Sequence, residues 1–309
     1  MDYEKPARVG SKLDLKTAFI TSLPLTAETE PHLGGALRQT LNHPGSLVRA
    51  RLVYEMGQAH GLSDGRSKHL AIGIEYFHTA SLLFDDLPCM DDATERRGEP
   101  CVHRTHGEAA AILAALGLVN RAYALLWRGM AGSTAERQSR AGDYVEKYLG
   151  INGLLNGQSE DLHYASLPQA RRLPQKIATG KTVSLIRVSL VLPAMLGGAG
   201  TMEVRLLERL AAFWGLSYQI LDDLKDVFQG SAQTGKTAAR DQSLNRPNMA
   251  LAIGANQSLR RLERLMLLSD LVMARLLARL PALNFLNELR SRFRAEIIAI
   301  RATNFAATR

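Results

Sequence analysis

An all-α fold, one domain of many helices packed around a common core, is what this 309-residue sequence predicts. Three observations carry that expectation. Apolar residues recur at spacings of three and four in stretch after stretch from about Leu33 onward. Alternating strand patterns bounded by turn pairs are scarce. Turn punctuation, as in HPG (43–45), LGGAG (196–200) and NRPN (245–248), falls between the helical stretches and not within them.

Residues 1–30 are mixed in character, and Pro6 and Pro24, with Pro31 just beyond, break any long helix, so a loosely ordered N-terminal lead-in is expected ahead of a helical domain over 31–309. SKHLAIGIEYFHTASLLFDD, Ser67 to Asp86, keeps helical spacing with no internal proline. EAAAILAALGLVNRAYALLW (108–127) does the same with alanine and leucine. VSLIRVSLVLPAML (183–196) and VRLLERLAAFWGLSYQILDDLKDVF (204–228) follow. SLRRLERLMLLSDLVMARLLARL (258–280) is a basic amphipathic helix, for which a solvated face is the ordinary reading and peripheral membrane contact the most that is expected. No internal repeat or low-complexity tract interrupts this series.

Composition narrows the function. Hydrophobic residues at 46% and charged residues at 22% fit a globular protein, and no uninterrupted apolar run approaches the roughly 18 residues of a membrane span. The N-terminus lacks the apolar core of a secretory signal, so a cytoplasmic location is expected. Two cysteines, Cys89 and Cys101, are too few for a disulfide framework or a zinc site. A net charge of +8 points to anionic partners. With aromatics at 6% and no zinc finger or basic arm, nucleic acid is not among them; small phosphates are the expected anions.

GSAQTGKT, Gly230 to Thr237, fits the phosphate-loop pattern at every fixed position. A working phosphate loop joins a β-strand to a helix. Here the preceding residues are helical and the following AARDQSLNRPN is polar and proline-broken, so the nucleotide reading fails on context.

Two phrases carry the stronger chemistry: SLLFDDLPCMDD (81–92) and YQILDDLKD (218–226). In each, an apolar helical run passes straight into paired aspartates. A solvated helix end is the usual meaning of such a cluster, but acids on the inner end of a core helix repel one another unless a cation sits among them. Asp222 and Asp226 lie roughly 40° apart on one helix face and can reach the same ion. Asp85 and Asp91 would diverge by roughly 120° on an unbroken helix. Pro88 interrupts it after Asp86, and treating Pro88–Cys89 as an inserted bulge restores an effective spacing of four. Oxygen-only donors suit Mg²⁺, with substrate phosphates completing its shell. Arg96, Arg97, Lys181 and Thr182 add the cations and donors that diphosphate oxygens require.

DDLPCMDDATERRGEP resembles the first aspartate-rich motif of the trans-isoprenyl diphosphate synthases, DD-x4-D followed by RRG-x-P, and DDLKD resembles their second. Gln219 precedes the second motif at the family spacing, and Lys181–Thr182 matches a third. The resemblance runs from about residue 34 to the C-terminus and is most like bacterial geranylgeranyl diphosphate synthases. It implies the class I isoprenoid synthase fold around a deep apolar cavity, a homodimer, and Mg²⁺ ions, three per active site. Asp85, Asp86 and Asp91 would hold them from one wall and Asp222, Asp223 and Asp226 from the other. The reaction it implies condenses isopentenyl diphosphate with an allylic diphosphate (farnesyl, geranyl or dimethylallyl). Arg96, Lys181 and Lys236 would bind the allylic diphosphate, with Asp241 in the matching acidic position. No protein nucleophile is required.

The resemblance also implies a second diphosphate site, and there the sequence departs. The family pattern G-G-K-x-x-R-P aligns with PGSLVRA (44–50): Arg49 is kept, but Ser46 stands at the lysine position and Ala50 at the proline. His78 and Arg97 match the other ligands of that site, although a buried core histidine would be the ordinary reading of His78 alone. Losing one charged contact costs on the order of 1–3 kcal/mol of binding. After the second motif, Asn245-Arg246-Pro247 replaces the family's Gly-Lys-Ser/Thr. Small residues upstream of Asp85, namely Thr79, Ala80 and Ser81, would leave the product pocket deep, which favours a C20 product over C15. The rival readings are a farnesyl diphosphate synthase, a class I terpene cyclase or diphosphate lyase suggested by Ser46, a non-catalytic partner subunit, and the phosphate-loop NTPase.

Overall fold

A computed structural model describes residues 12–168, 172–228 and 246–307, with the backbone alone for 12–14 and 303–307. The helices follow the sequence periodicity. In chain order they are α1 (Lys12–Thr21), α2 (Pro31–Asn42), α3 (Val48–Ala59), α4 (Asp64–Asp85), α5 (Val102–His106), α6 (Glu108–Met130) and α7 (Ala135–Leu149). Then come α8 (Asn156–Leu162), α9 (Leu173–Ala178), α10 (Ser184–Gly197), α11 (Thr201–Phe228), α12 (Met249–Ile253), α13 (Ala255–Arg279) and α14 (Leu286–Ala307). Among the described residues the sheet content is one two-stranded antiparallel hairpin, β1 (Glu95–Arg96) with β2 (Glu99–Pro100).

Buried apolar residues form two clusters. The first joins α4 and α6, where Ala110, Ala111, Ala114, Ala115 and Ala122 let two long helices approach closely and bury Leu70, Ile74 and Leu118 between them. The second gathers α10, α11 and α13, with Trp214 at its centre against Phe293 of α14. Gly198, in the left-handed region at φ 93°, ends α10 and turns the chain into α11, as LGGAG requires.

Two sequence expectations change. Residues 12–21 are not a loose lead-in: they form α1, whose Leu15 and Phe19 are buried. Phe19 packs edge-on against Tyr76 at 5.0 Å between ring centroids, and the Tyr76 hydroxyl donates to its backbone carbonyl. The expectation weighed the prolines and overlooked this apolar anchor. Second, two helical stretches, Glu108–Met130 and Leu173–Gly197, are long and apolar enough by length and composition to cross a bilayer, which a search for unbroken apolar runs missed. The second stretch is mostly buried in the two clusters, whereas the first buries one face in them and leaves the other exposed.

Candidate active site

A cavity of about 620 Å³ opens between the end of α4, the hairpin, and helices α8, α10 and α11. Its first wall begins where α4 stops at Asp85, one turn before Pro88. The helix does not resume after a bulge, as the spacing suggested. A turn forms instead, in which the Asp91 N–H donates to the Asp85 carbonyl at 3.0 Å and the Asp92 N–H to the Leu87 carbonyl. The result is the expected one, since Asp85 and Asp91 both line the cavity.

Asp86 behaves differently. It is buried and faces away from the main cavity, receiving the Arg96 guanidinium at Nε (2.9 Å) and Nη2. That corrects its expected place among metal ligands: adjacent helical residues point roughly 100° apart, so Asp86 turns inward and positions Arg96. Arg96 itself lines the cavity.

The second wall repeats this division of labour. Asp222 and Asp226 line the cavity one turn apart on α11. Asp223 does not: it is buried, and accepts from Gln219 Nε2 at 2.8 Å and from the Met249 N–H at 2.7 Å. Asp223 therefore secures the start of α12 to α11. Gln219 also accepts from the Thr182 hydroxyl at 2.7 Å, so Thr182, Gln219 and Asp223 form one chain of bonds beneath the aspartates.

Lys181 completes the floor. It lies in a π-helical turn, Thr179–Val183, that crosses α8 at Gly180 and Gly157. A Cβ on Gly157 would collide with the Lys181 backbone, so only glycine permits this crossing. Lys181 Nζ donates to Asp161 Oδ2 at 2.8 Å. Burial disfavours its charge, but Asp85, Asp161 and Asp91 outweigh that and hold the ammonium well above its ordinary pKa. Asp85 is pushed up by burial; Lys181 and Arg96 oppose the shift, and Asp91 and Asp161 add to it. Its carboxyl is therefore short of positive charge, which a divalent cation would supply. Four carboxylates on opposed walls, with no nitrogen or sulfur donor among them, fit Mg²⁺ bridged by phosphate oxygens. Among the described residues no three acid, His or Cys side chains stand close enough to hold an ion unaided.

Three residues of the site escaped the sequence reading. Gln158 donates to Asp85 Oδ1 at 2.8 Å, and Asp161 holds Lys181. Arg246 crosses from the second wall to the first, donating to Asp91 Oδ1 (2.7 Å) and the Met90 carbonyl (2.9 Å). Only GQSEDL, with polar residues three apart on one helix, offered a signal for the first two.

At one end of the cavity the charges change character. Arg49 Nη1 donates to His78 Nε2 at 3.0 Å and its guanidinium lies 6.0 Å from the centre of the Tyr218 ring. Burial and the positive charges of Arg49, Arg97 and Arg96 hold His78 well below its ordinary pKa, so it is neutral and accepts from Arg49. The hairpin divides its two arginines. Arg97 (φ 59°) and Gly98 (φ 80°) form the turn, leaving Arg96 on the cavity side, while Arg97 reaches the His43 carbonyl at 2.7 Å. Gly45 (φ 69°) has no side chain because the Arg97 guanidinium fills that space. Buried Glu75 accepts the Ala50 N–H at 2.8 Å below this group. Ser46 is exposed.

Of the expected pocket-lining residues, Ser81 lines the main cavity with Phe84, Leu154 and Leu185. Thr79 faces a small cavity of about 50 Å³ on the far side of α4, and Ala80 is buried in the core, because neither shares the helix face of Asp85. Lys236, Asp241 and the GSAQTGKT segment lie outside the described residues; the α-helix running to Phe228 bears out the absence of a strand shortly before that segment.

An all-α domain with opposed carboxylates and clustered cations around an apolar-floored cavity defines a class of proteins that handle diphosphates through a divalent metal. The chain belongs to the polyprenyl synthetase family, whose model matches residues 30–269. It is 34% identical over 231 residues to a chloroplastic geranylgeranyl pyrophosphate synthase of Capsicum annuum, covering 74% of this chain and 63% of that protein. It is 31% identical over 264 residues to geranylgeranyl pyrophosphate synthase 4 of Arabidopsis thaliana, covering 84% and 70%. The match to the pepper protein thus spans less than two thirds of that protein, and these relatives are plant proteins where the motifs suggested bacterial ones. Among solved structures, a geranyltransferase from Helicobacter pylori complexed with magnesium and isoprenyl diphosphate matches with a TM-score of 0.76 at 23% identity, covering 94% of each chain. A geranyltransferase from Legionella pneumophila gives 0.77 at 22% identity and the same coverage. At that identity the structural likeness establishes the all-α fold alone.

Proposed function

We propose that the protein is a Mg²⁺-dependent trans-prenyltransferase that condenses isopentenyl diphosphate with an allylic diphosphate to give geranylgeranyl diphosphate. The observation that carries this reading is the facing of Asp85 and Asp91 by Asp222 and Asp226 across one cavity, with Lys181 and Arg96 between them and three guanidiniums around His78. The plant relatives named as geranylgeranyl pyrophosphate synthases support the product class.

Asp85, Asp91, Asp222 and Asp226 would hold the metal. The metal they would hold would draw charge from the allylic diphosphate and so make it a better leaving group. Lys181 and Arg96 orient that diphosphate and stabilise the charge it takes on departure. Arg49 and His78 would hold the second diphosphate at the other end of the cavity, with Arg97 set behind them against the adjoining small cavity and adding positive charge, so that its double bond is presented to the allylic carbon. The apolar floor of Phe84, Leu154 and Leu185 excludes water from the cation and receives the growing chain.

A second copy of the chain is the proposed partner. α6 exposes Ile112, Leu113, Leu116, Tyr123 and Trp127 on one face, a large apolar area for a lone surface helix, and scattering that returned a dimer mass would support it.

One incubation tests the reaction: purified protein, Mg²⁺, farnesyl diphosphate and labelled isopentenyl diphosphate. A labelled C20 diphosphate is expected. Diphosphate release with an unlabelled hydrocarbon or alcohol would replace this reading with a lyase, and silence in both channels with a partner subunit.

A further inference from the structure

The outer face of α13 carries a feature that the cavity does not use. The inner face of this helix, including Leu262, Met266, Met273 and Leu276, is buried in the second cluster. Arg260, Arg264, Leu267, Leu271, Arg275 and Arg279 follow one another at spacings of three and four. That keeps all six within roughly 120° of arc. Leu267 and Leu271 are 65% and 64% exposed, midway between two pairs of arginines.

The neighbouring acids are already neutralised. Glu263 receives Arg301 at 2.7 Å, and Asp270 receives both Arg290 and Arg294. Those arginines come from α14, so three ion pairs tie the two helices. Ile298, 68% exposed, falls between Arg294 and Arg301 and so extends the strip beside Leu267. Among the described residues Arg260, Arg264, Arg275 and Arg279 form no ion pair. The face is therefore a short apolar ridge framed by uncompensated positive charge.

We propose that this face docks the protein on an anionic lipid bilayer, with Leu267, Leu271 and Ile298 entering the headgroup region and the four arginines meeting lipid phosphates. Charge decides the occupant. A two-fold contact with a second copy would set the same arginines against themselves, whereas the α6 face has no such frame of charges. Nucleic acid would use the guanidiniums but has no place for three protruding aliphatic side chains. The inference is independent of the reaction proposed above.

Vesicle flotation of the full-length protein tests it, using phosphatidylcholine alone and phosphatidylcholine with phosphatidylglycerol. The wild type is expected to float with the anionic vesicles at low salt, to stay in solution with neutral ones, and to be released by high salt. Leu267→Ser with Leu271→Ser, and separately Arg264→Glu with Arg275→Glu, should each weaken binding about tenfold. Prenyltransferase turnover and melting temperature should stay at wild-type values. Failure of the wild type to float overturns the proposal. So does wild-type flotation by both double variants. An assembly larger than the dimer that the leucine pair dissolves would assign the face to another copy. Indifference to the leucine pair, together with displacement by RNA, would assign it to a polyanion.

Discussion

The two ends of the cavity handle charge in opposite ways. Around the aspartates almost every cation is matched to a carboxylate: Arg96 to Asp86, Lys181 to Asp161, Arg246 to Asp91. Around His78, buried Glu75 is the chief acid facing the guanidiniums of Arg49 and Arg97, with Asp86 a weaker influence on Arg97, and each guanidinium depresses the pKa of the histidine. The first end is balanced, and in the proposed reaction it would take a diphosphate only when more positive charge arrives with it. The second is already positive and takes an anion as it stands. This explains how the second end can tolerate Ser46 in place of a family lysine, while the first can tolerate little.

The largest expected effect follows at the balanced end. Asp85→Ala should lower turnover by about a thousandfold or more, because it removes a ligand from a site that depends on added metal. A steady-state assay with a matched melting curve checks it, and a variant with tenfold or smaller loss would mean that the ends are not so different. Next comes the positive end. Ser46→Lys should lower the Michaelis constant for isopentenyl diphosphate about tenfold, with turnover little changed; an unchanged constant would mean that residues 44–50 are misaligned with the family pattern. A smaller change is expected from Arg246→Gln. Freed of its guanidinium, Asp91 should bind metal several-fold more tightly, read directly by Mn²⁺ electron paramagnetic resonance titration and not only from activity.

The smallest effect concerns pH. His78 has a folded pKa below its unfolded value of about 6.5, so the unfolded chain binds the extra proton. Stability from this residue is present above pH 6.5 and falls as pH drops below it, by at most about 1.4 kcal/mol per pH unit. In His78→Asn that slope should shrink, as urea denaturation at neutral and mildly acidic pH would record. An identical slope in both proteins would show that the histidine takes up no proton on unfolding.

Much of this contrast was legible beforehand, and the illegible parts have physical reasons. The apolar runs ending in paired aspartates specified both walls, because helical periodicity and a proline stop are local properties. The turn of Asp86 and Asp223 away from the cavity and into the protein is equally local, since a 100° step separates neighbours on a helix, whereas the motif groups them with their neighbours. Gln158 and Asp161 read as an ordinary polar helix face until the fold sets Gln158 against Asp85 and the Gly157–Gly180 crossing sets Asp161 against Lys181. In the sequence Arg246 stands only as part of the tripeptide that replaces the family's Gly-Lys-Ser/Thr; its bond to Asp91 spans 155 positions, and no local pattern encodes that. Thr79 and Ala80 were counted as pocket residues by distance along the chain when the helix face was what mattered.

One hairpin four residues around, Arg96 to Glu99, serves as a shared wall between the two ends. Its tip sends successive guanidiniums to opposite sides, so in the proposed reaction a single tight reversal would set the gap between the two diphosphates. Lengthening it by even one residue would push both arginines off their marks together. In the proposed reaction, the distance across which the new carbon–carbon bond would form is thus set by the geometry of a turn.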